Sequence, residues 1–400
     1  MNVLVINSGS SSFKYQLINM EGENALCSGL VERIGQDMGK LVHKIAPDTD
    51  AEKKIVVEEK FATHADGMKM VVDMLTDAEN GVIKDMKEIS AVGHRVVQGG
   101  ELLSKSVVVD DEVRKTIEEL IPLAPLHNPA AIAGIDVARD LFPHAPSVAV
   151  FDTEFHQTMP AKAFMYPINK EVYEELHVRR YGFHGTSHRY VTKRTAEFLG
   201  KSIDELNIVT CHLGNGCSMA AVKGGKCVDT TMGLTPLAGL MMGTRCGDID
   251  PASLPFLAKN KGMSIEEVDT LLNKQSGLEG MCGMSDMRDL HAAVDAGNED
   301  AKLALDMFVY RIKKYLGAYI AILGKIDAVV FTAGIGENDE IVRAQVCADM
   351  EHFGIVFDNE ENDIRRGTER SLSKGGETEV LIIPTNEELE IAQATVKVLA

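Results

Sequence analysis

Apolar residues fall in short runs separated by periodic stretches. Val3–Ile6, Phe13–Ile18, Val148–Phe151, Ile208–Cys211, Met219–Val222, Ala328–Phe331 and Val380–Ile383 are rich in branched and aromatic residues, and their length predicts strands. Between them apolar positions recur at helical spacing. Pro129 to Phe142 predicts a helix with Asn128 as N-cap and Pro129 at its first position. Ser187 to Leu199 predicts another, with Ser187 capping its start and Gly200 its end. The longest runs from about Glu299 to Leu323. Strands mixed with helices, some in antiparallel hairpins, predict an α/β protein.

One pattern occurs twice. Val3 to Ile18 reads strand, then Asn7-Ser-Gly-Ser-Ser-Ser12, then strand; Ile208 to Val222 reads strand, then His212-Leu-Gly-Asn-Gly-Cys-Ser218, then strand. The copies lie about half a chain apart, which suggests a duplicated domain. Six or seven turn residues exceed what a hairpin needs. Glycines admit close backbone approach, and successive N–H groups with hydroxyls make an anion nest. The competing reading is a pair of long surface turns.

The chain has 400 residues, more than one core usually holds, so two domains are expected and three are possible. Apolar residues at 45%, charged residues at 25% and a mean hydropathy of -0.04 exclude wholesale disorder. A net charge of -19 repels phosphate backbones and anionic lipid, so neither nucleic acid nor membrane is expected as a partner. MNVLVINSGS lacks the features of a signal peptide, and no apolar run approaches the ~20 residues of a membrane span. Seven scattered cysteines without a C-x-x-C pair point to a reducing compartment, with cytoplasm expected.

Three motifs fail on inspection. Gly200-Lys201-Ser202 resembles the end of a P-loop, but the required first glycine is Thr195. Gly334-Ile-Gly336 lacks the third glycine of a dinucleotide fingerprint, since Asp339 stands there. His184 and His188 could share a metal, yet no Glu follows the first as a zincin requires.

Other segments carry chemistry. Lys14 leaves the first turn on the face opposite the apolar side chains, placed to meet an anion. Arg95 precedes a Gly-Gly turn and Arg245 sits between glycines, which suits forking onto a carboxylate or phosphate better than a surface ion pair. Asp152 follows a strand, where open sheets place ligands, and could equally be a turn cap. His184 lies between glycines, Ala333 to Asn338 reads as a backbone-lined nucleotide loop, and Glu387 in Pro384-Thr-Asn-Glu-Glu388 is a candidate for a metal-bound water.

VLVINSGSSSFK and VTCHLGNGCSMAA, followed or separated by GHRVVQGG, PLHNP, FDTEFH, YGFHGTSH, GTRCGDIDP, SDMRD, TAGIGEN and PTNEE, resemble the blocks of the acetate kinase family in that family's order, from Val3 to Glu388. The resemblance implies the sugar kinase, Hsp70 and actin superfamily: two ribonuclease-H-like (actin-like ATPase) domains with an interdomain active-site cleft. Residues 1–150 plus 385–400 would form the N-terminal domain, completed by the C-terminal helix, and 151–384 the nucleotide-binding domain. The implied reaction is reversible, Mg²⁺-dependent transfer of the γ-phosphoryl group of ATP to acetate, giving acetyl phosphate and ADP, by a homodimer. Mn²⁺ could substitute. The reaction would feed acetyl-CoA formation or ATP synthesis; a propionate or other short-chain fatty acid kinase is the alternative.

The same resemblance assigns Asn7 and Glu387 to magnesium. It assigns Lys14, His212, Leu213, Gly214, Asn215, Gly216, Asp286, Met287, Arg288, Gly334, Ile335, Gly336, Glu337 and Asn338 to ATP. Arg95 would bind the substrate carboxylate, with Val97, Leu126, Phe183 and Pro236 around the acyl methyl; Val97 limits room and favours acetate. Asp152, His184 and Arg245 would be catalytic. The family often has His at Gln98 and an aromatic at Met287. A carboxylate with pKa near ~4 is already a nucleophile at neutral pH, so Asp152 is expected to orient Arg245 or a metal-bound water instead of acting as a base. Rival readings are a nucleotide switch of the Hsp70 or actin type and a hydroxyl-directed kinase.

Overall fold

All seven predicted strands form, and the parity of Val3-Leu-Val-Ile6 explains why its four residues are all buried. In the computed structural model, which describes residues 1–363 and 367–400, Leu4 and Ile6 join one core with Phe13, Tyr15 and Leu17. Val3 and Val5 face the other way and join Val148, Val150 and Ile391. A strand covered on both faces needs no polar alternation.

The chain divides into two units, residues 1–154 with 386–400, and residues 155–385. The first therefore keeps Phe151 to Glu154, which the sequence reading assigned to the second. Its sheet contains β1 (Asn2–Ser8), β2 (Ser12–Asn19), β3 (Asn24–Glu32), β4 (Gly39–Ile45), β5 (Lys53–Glu59), β6 (Ile89–Val96), β7 (Val107–Val108) and β8 (Ser147–Phe151), in the order β5-β4-β3-β2-β1-β6-β8-β7. The second unit has β9 (Asn207–Leu213), β10 (Cys217–Lys223), β11 (Lys226–Thr230), β12 (Ala328–Thr332), β13 (Arg370–Ser371) and β14 (Glu379–Ile382), in the order β11-β10-β9-β12-β14-β13. In each, an antiparallel meander of three strands is followed by two strands parallel to its first. The suggested duplication is thus a repeat of sheet order, β3-β2-β1-β6-β8 matching β11-β10-β9-β12-β14.

Three local expectations are corrected. The two turns are short, Gly9 to Ser11 and Gly214 to Gly216, because the strands extend into both Gly-rich segments. Asn128 is the first residue of the helix Asn128–Leu141, not its cap. Its buried amide instead braces Gln98, accepting from the Gln98 N–H at 3.3 Å and donating to the Gln98 carbonyl at 3.1 Å. Ser187 lies inside the helix Gly185–Leu199, whose N-cap is His184 in the left-handed region at φ 56. Gly200, at φ 61, closes that helix as expected.

The C-terminal helix Glu387–Leu399 lies on the first unit's sheet. Gly93 of β6 permits this: a Cβ there would stand 2.6 Å from Thr395 Oγ1 and 2.9 Å from the Ile391 side chain. Gly93→Ala is accordingly expected to destabilise the protein by about 1–3 kcal/mol through overpacking. A denaturant midpoint unchanged from the parent would contradict this packing.

Candidate active site

Strand ends gather the first group. Asn7 lies near the carboxyl end of β1, Arg95 near that of β6, and Asp152 directly after β8; these three strands are parallel neighbours. Ligands of open sheets bind at such ends. Arg95 forks onto Asp152, Nε donating to Oδ1 at 2.9 Å and Nη2 to Oδ2 at 2.5 Å, while Nη1 donates to Asn7 Oδ1 at 3.3 Å. Asp152 is 1% exposed. Burial works against the Arg95 charge, and Asp152 more than offsets it, so the guanidinium stays cationic. Asp152 therefore orients Arg95, a partner that the expectation of Arg245 or a metal-bound water did not include. Lys14 is exposed between buried Phe13 and Tyr15.

Glu387 opens the C-terminal helix beside this group. Burial raises its carboxyl to about 7; Asp152 and Glu388 push the same way, and Arg95 and Lys14 oppose them. Among the described residues no cluster of three His, Cys, Asp or Glu side chains could hold a metal alone. An amide oxygen and one crowded carboxylate nevertheless suit Mg²⁺, which keeps several waters and takes one or two carboxylates plus phosphate oxygens.

The second group surrounds the hairpin β9–β10. A Cβ on Gly216 would lie 3.4 Å from His184 Cε1 and 3.5 Å from Arg245 Nη1, so both side chains flank the bare backbone of that turn. His184 stacks on His212, ring centroids 4.1 Å apart, and its Nδ1 lies 2.9 Å from Ser218 Oγ. Arg245 is half-buried and donates to the Pro236 carbonyl at 3.2 Å; among the described residues no carboxylate pairs with it. Burial lowers its pKa, yet an arginine stays charged. The loop is fixed from both sides, the Gly243 N–H donating to the Asn215 carbonyl at 3.1 Å and the Ser276 N–H to the Thr244 carbonyl at 3.0 Å.

A cavity of about 770 Å³ extends from the same turn. It is lined by Gly214, Asn215, Asp286, Met287, Arg288, Gly334, Ile335 and Asn338, all singled out in the sequence, and by Ser285, His291, Asp339, Glu340 and Ile341, which were not. Its size suits a nucleoside. Asp286 caps the helix Met287–Asp295 and is held at about 2 by the side chain and N–H of Arg288. Ala333 to Asn338 is a short helix, not an open loop, and Ala333 begins it at φ 65. Glu337 turns inward, accepting from the Ala333 N–H at 2.8 Å and the Thr385 N–H at 3.3 Å, which holds that left-handed start. Leu213 and Gly336 are buried, and neither they nor His212 and Gly216 line the cavity.

His291 gave no sequence signal beyond a lone histidine in an amphipathic helix. Its Nε2 lies 2.7 Å from Asp339 Oδ2, and that hydrogen bond raises the imidazole pKa. The pair's contribution to stability is complete below the unfolded value near ~6.5 and disappears as pH rises through the raised folded value. The melting-temperature gap between parent and His291→Gln should narrow as pH is raised across that window; a constant gap would show that the pair contributes no charge.

The four residues expected around an acyl methyl divide between the units. Val97 is buried and Leu126 exposed in the first; Phe183 is buried and Pro236 half-buried in the second. Gln98 is fully buried, its Oε1 accepting from the Gly100 N–H at 2.9 Å.

Known proteins resemble this chain along its whole length. Residues 2–393 match the model of the acetokinase family. An acetate kinase of Oleidesulfovibrio alaskensis is 68% identical over the whole length of both chains. The crystal structure of Porphyromonas gingivalis acetate kinase superposes with a TM-score of 0.94 at 45% identity, covering 100% of each chain. That of a propionate kinase from Francisella tularensis gives 0.90 at 41%, covering 99% of each. Motif order, repeated sheet and matched length agree, and the chain belongs to the acetokinase family.

Proposed function

We propose that this protein transfers the γ-phosphoryl group of ATP reversibly to acetate, giving acetyl phosphate and ADP. The observation that carries the reading is that both oxygens of Asp152 are engaged by Arg95. A carboxylate held in that way is a poor general base, so the acceptor must arrive already ionised. Acetate does. A carboxylate oxygen forms the new bond to phosphorus, the bond from phosphorus to the bridging oxygen breaks, and ADP leaves with that electron pair. No proton moves at the acceptor.

The barrier is then repulsion between two anions, and fixed positive charge lowers it. In this reading Arg95 takes the acetate carboxylate, while Arg245 and His184 stabilise the phosphoryl group in flight. Lys14 and the turn Gly214 to Gly216 meet the phosphates, and the cavity at Met287 and Ile335 holds the nucleoside. Asn7 and Glu387 would hold Mg²⁺ or Mn²⁺, which neutralises phosphate charge when bound. Val97, Leu126, Phe183 and Pro236 are assigned to the methyl group. Propionate is the second reading, favoured by the likeness to the propionate kinase structure; one methylene changes discrimination by only ~1–3 kcal/mol.

We also infer a homodimer in the cytoplasm. Exposed Phe256 and Tyr310 on the second unit support the dimer, and seven free cysteines support the reducing compartment. No described helix is long and apolar enough to cross a membrane.

Hydroxylamine trapping with ATP, Mg²⁺ and acetate, propionate or butyrate tests the reaction. Acyl hydroxamate strongest with acetate is expected. Stronger colour with propionate would transfer the assignment to the second reading, and none with any acid would overturn phosphoryl transfer to carboxylates.

A further inference from the structure

Behind His184 runs a chain of buried groups that the phosphoryl-transfer reading does not use. His184 Nδ1 lies 2.9 Å from Ser218 Oγ; the same oxygen lies 2.8 Å from His188 Nε2; and His188 Nδ1 lies 2.7 Å from Thr210 Oγ1. Ser218, His188 and Thr210 are each fully buried. Each hydroxyl carries one proton, and a neutral imidazole carries one on one nitrogen. Burial, with His156 and His212 nearby, holds His188 well below the ordinary imidazole range, so it is neutral.

The distances fix the direction of the protons. Among the described residues Thr210 has one other acceptor, the Ala220 carbonyl at 3.5 Å, which is too long to compete with His188 Nδ1. The Thr210 O–H therefore donates to His188 Nδ1. His188 then bears its proton on Nε2 and donates to Ser218 Oγ. Ser218, having accepted there, turns its own proton toward His184 Nδ1. His184 is left with its proton on Nε2.

We propose that Thr210, His188 and Ser218 are positioning residues that fix His184 as a neutral imidazole protonated at Nε2, a hydrogen-bond donor that does not need to be cationic to work. A second observation supports this. The point above Gly216 lies 3.6 Å from His184 Nε2 and 3.5 Å from Arg245 Nη1. A neutral donor there avoids a second full charge beside the guanidinium. The left-handed backbone of His184, at φ 56, and its stacking on His212 complete the hold on the ring. Among the described residues, the titratable or charged groups around the ring and the chain behind it are His188 on its own helix, His212 on β9, His156, which packs on His188, and Arg245.

Ser218→Ala removes the donor to Nδ1 with little change in volume. His184 is then free to adopt the other tautomer, which presents a lone pair in place of a proton, and only the imidazolium restores the Nε2–H. The ratio of parent kcat to variant kcat should rise from about threefold near pH 6 to about thirtyfold near pH 8.5, with KM for ATP within about twofold. Taking the ratio cancels ionisations common to both proteins. His188→Gln keeps an N–H toward Ser218 and should leave its ratio independent of pH. A Ser218→Ala ratio that does not change with pH, or a His188→Gln ratio that does, would overturn the proposed order of donors.

The kinetic arm rests on the proposed phosphoryl transfer. A second arm does not: ¹⁵N-histidine correlation spectra of the unaltered protein report which nitrogen of His184 carries the proton, with His184→Gln used for assignment. Protonation at Nε2 across that pH range is expected; protonation at Nδ1 would overturn the proposal even if acyl phosphate forms. Failure to form acyl phosphate would count against the function and leave the spectra to judge the tautomer.

Discussion

Replacing Arg245 with alanine is expected to lower kcat by about 10³-fold or more, with KM for ATP changed only slightly. The argument is electrostatic. Arg245 is half-buried beside Gly216 and, among the described residues, has no carboxylate to neutralise it. A cation placed in that way has been desolvated in advance for an anion that arrives later. Its contribution is largest when charge peaks on the transferring group, so the loss should appear in kcat. Arg245→Lys should recover little, because an ammonium cannot reproduce the planar fork. A variant in which KM for ATP rises strongly while kcat holds would make Arg245 a ground-state phosphate ligand.

Asp152→Asn is the second large effect, a loss of about 10²-fold or more in kcat with ATP affinity retained. The amide can accept only one of the two N–H groups that Arg95 now directs at Oδ1 and Oδ2. Arg95 would swing, and the acetate it is proposed to hold would lose its line of attack. Stability should fall as well, toward the lower part of the about 3–5 kcal/mol seen when one member of a buried pair is removed, since Arg95 is partly exposed. In a double-mutant cycle with Arg95→Gln, the second substitution should cost little once the first is made. Full additivity in kcat would show that the two residues act separately. A near-normal kcat in Asp152→Asn would remove Asp152 from the site.

Most of the strands found from sequence are buried on both faces, such as Val3–Ile6, where apolar residues run unbroken. The strands β3, β4 and β5, toward one edge of the first sheet, were missed because lysines and other polar residues interrupt their apolar ones, as in Gly39–Ile45. β6 was hidden by Gly93, His94 and Arg95, which interrupt its apolar run. Glycine-framed arginines and the paired turns made both halves of the candidate site legible. The partner of Asp152 was not, because Arg95 lies 57 positions away and only the parallel pairing of β6 with β8 brings them together. His291 and Asp339 escaped for the same reason, as did the Thr210–His188–Ser218 chain, which depends on β9–β10 register.

The return of residues 386–400 to the first unit sets an order of assembly. Residues 155–385 form an uninterrupted unit whose sheet takes no strand from outside that span. The first unit is not self-contained in this way, because the helix that shields Val3, Val5, Val148 and Val150 follows the whole second unit in the chain. Until that helix docks, one face of the first unit's sheet stays wet. Glu387 arrives on that same helix, so a first unit that has not finished folding also lacks the carboxylate proposed to hold the metal.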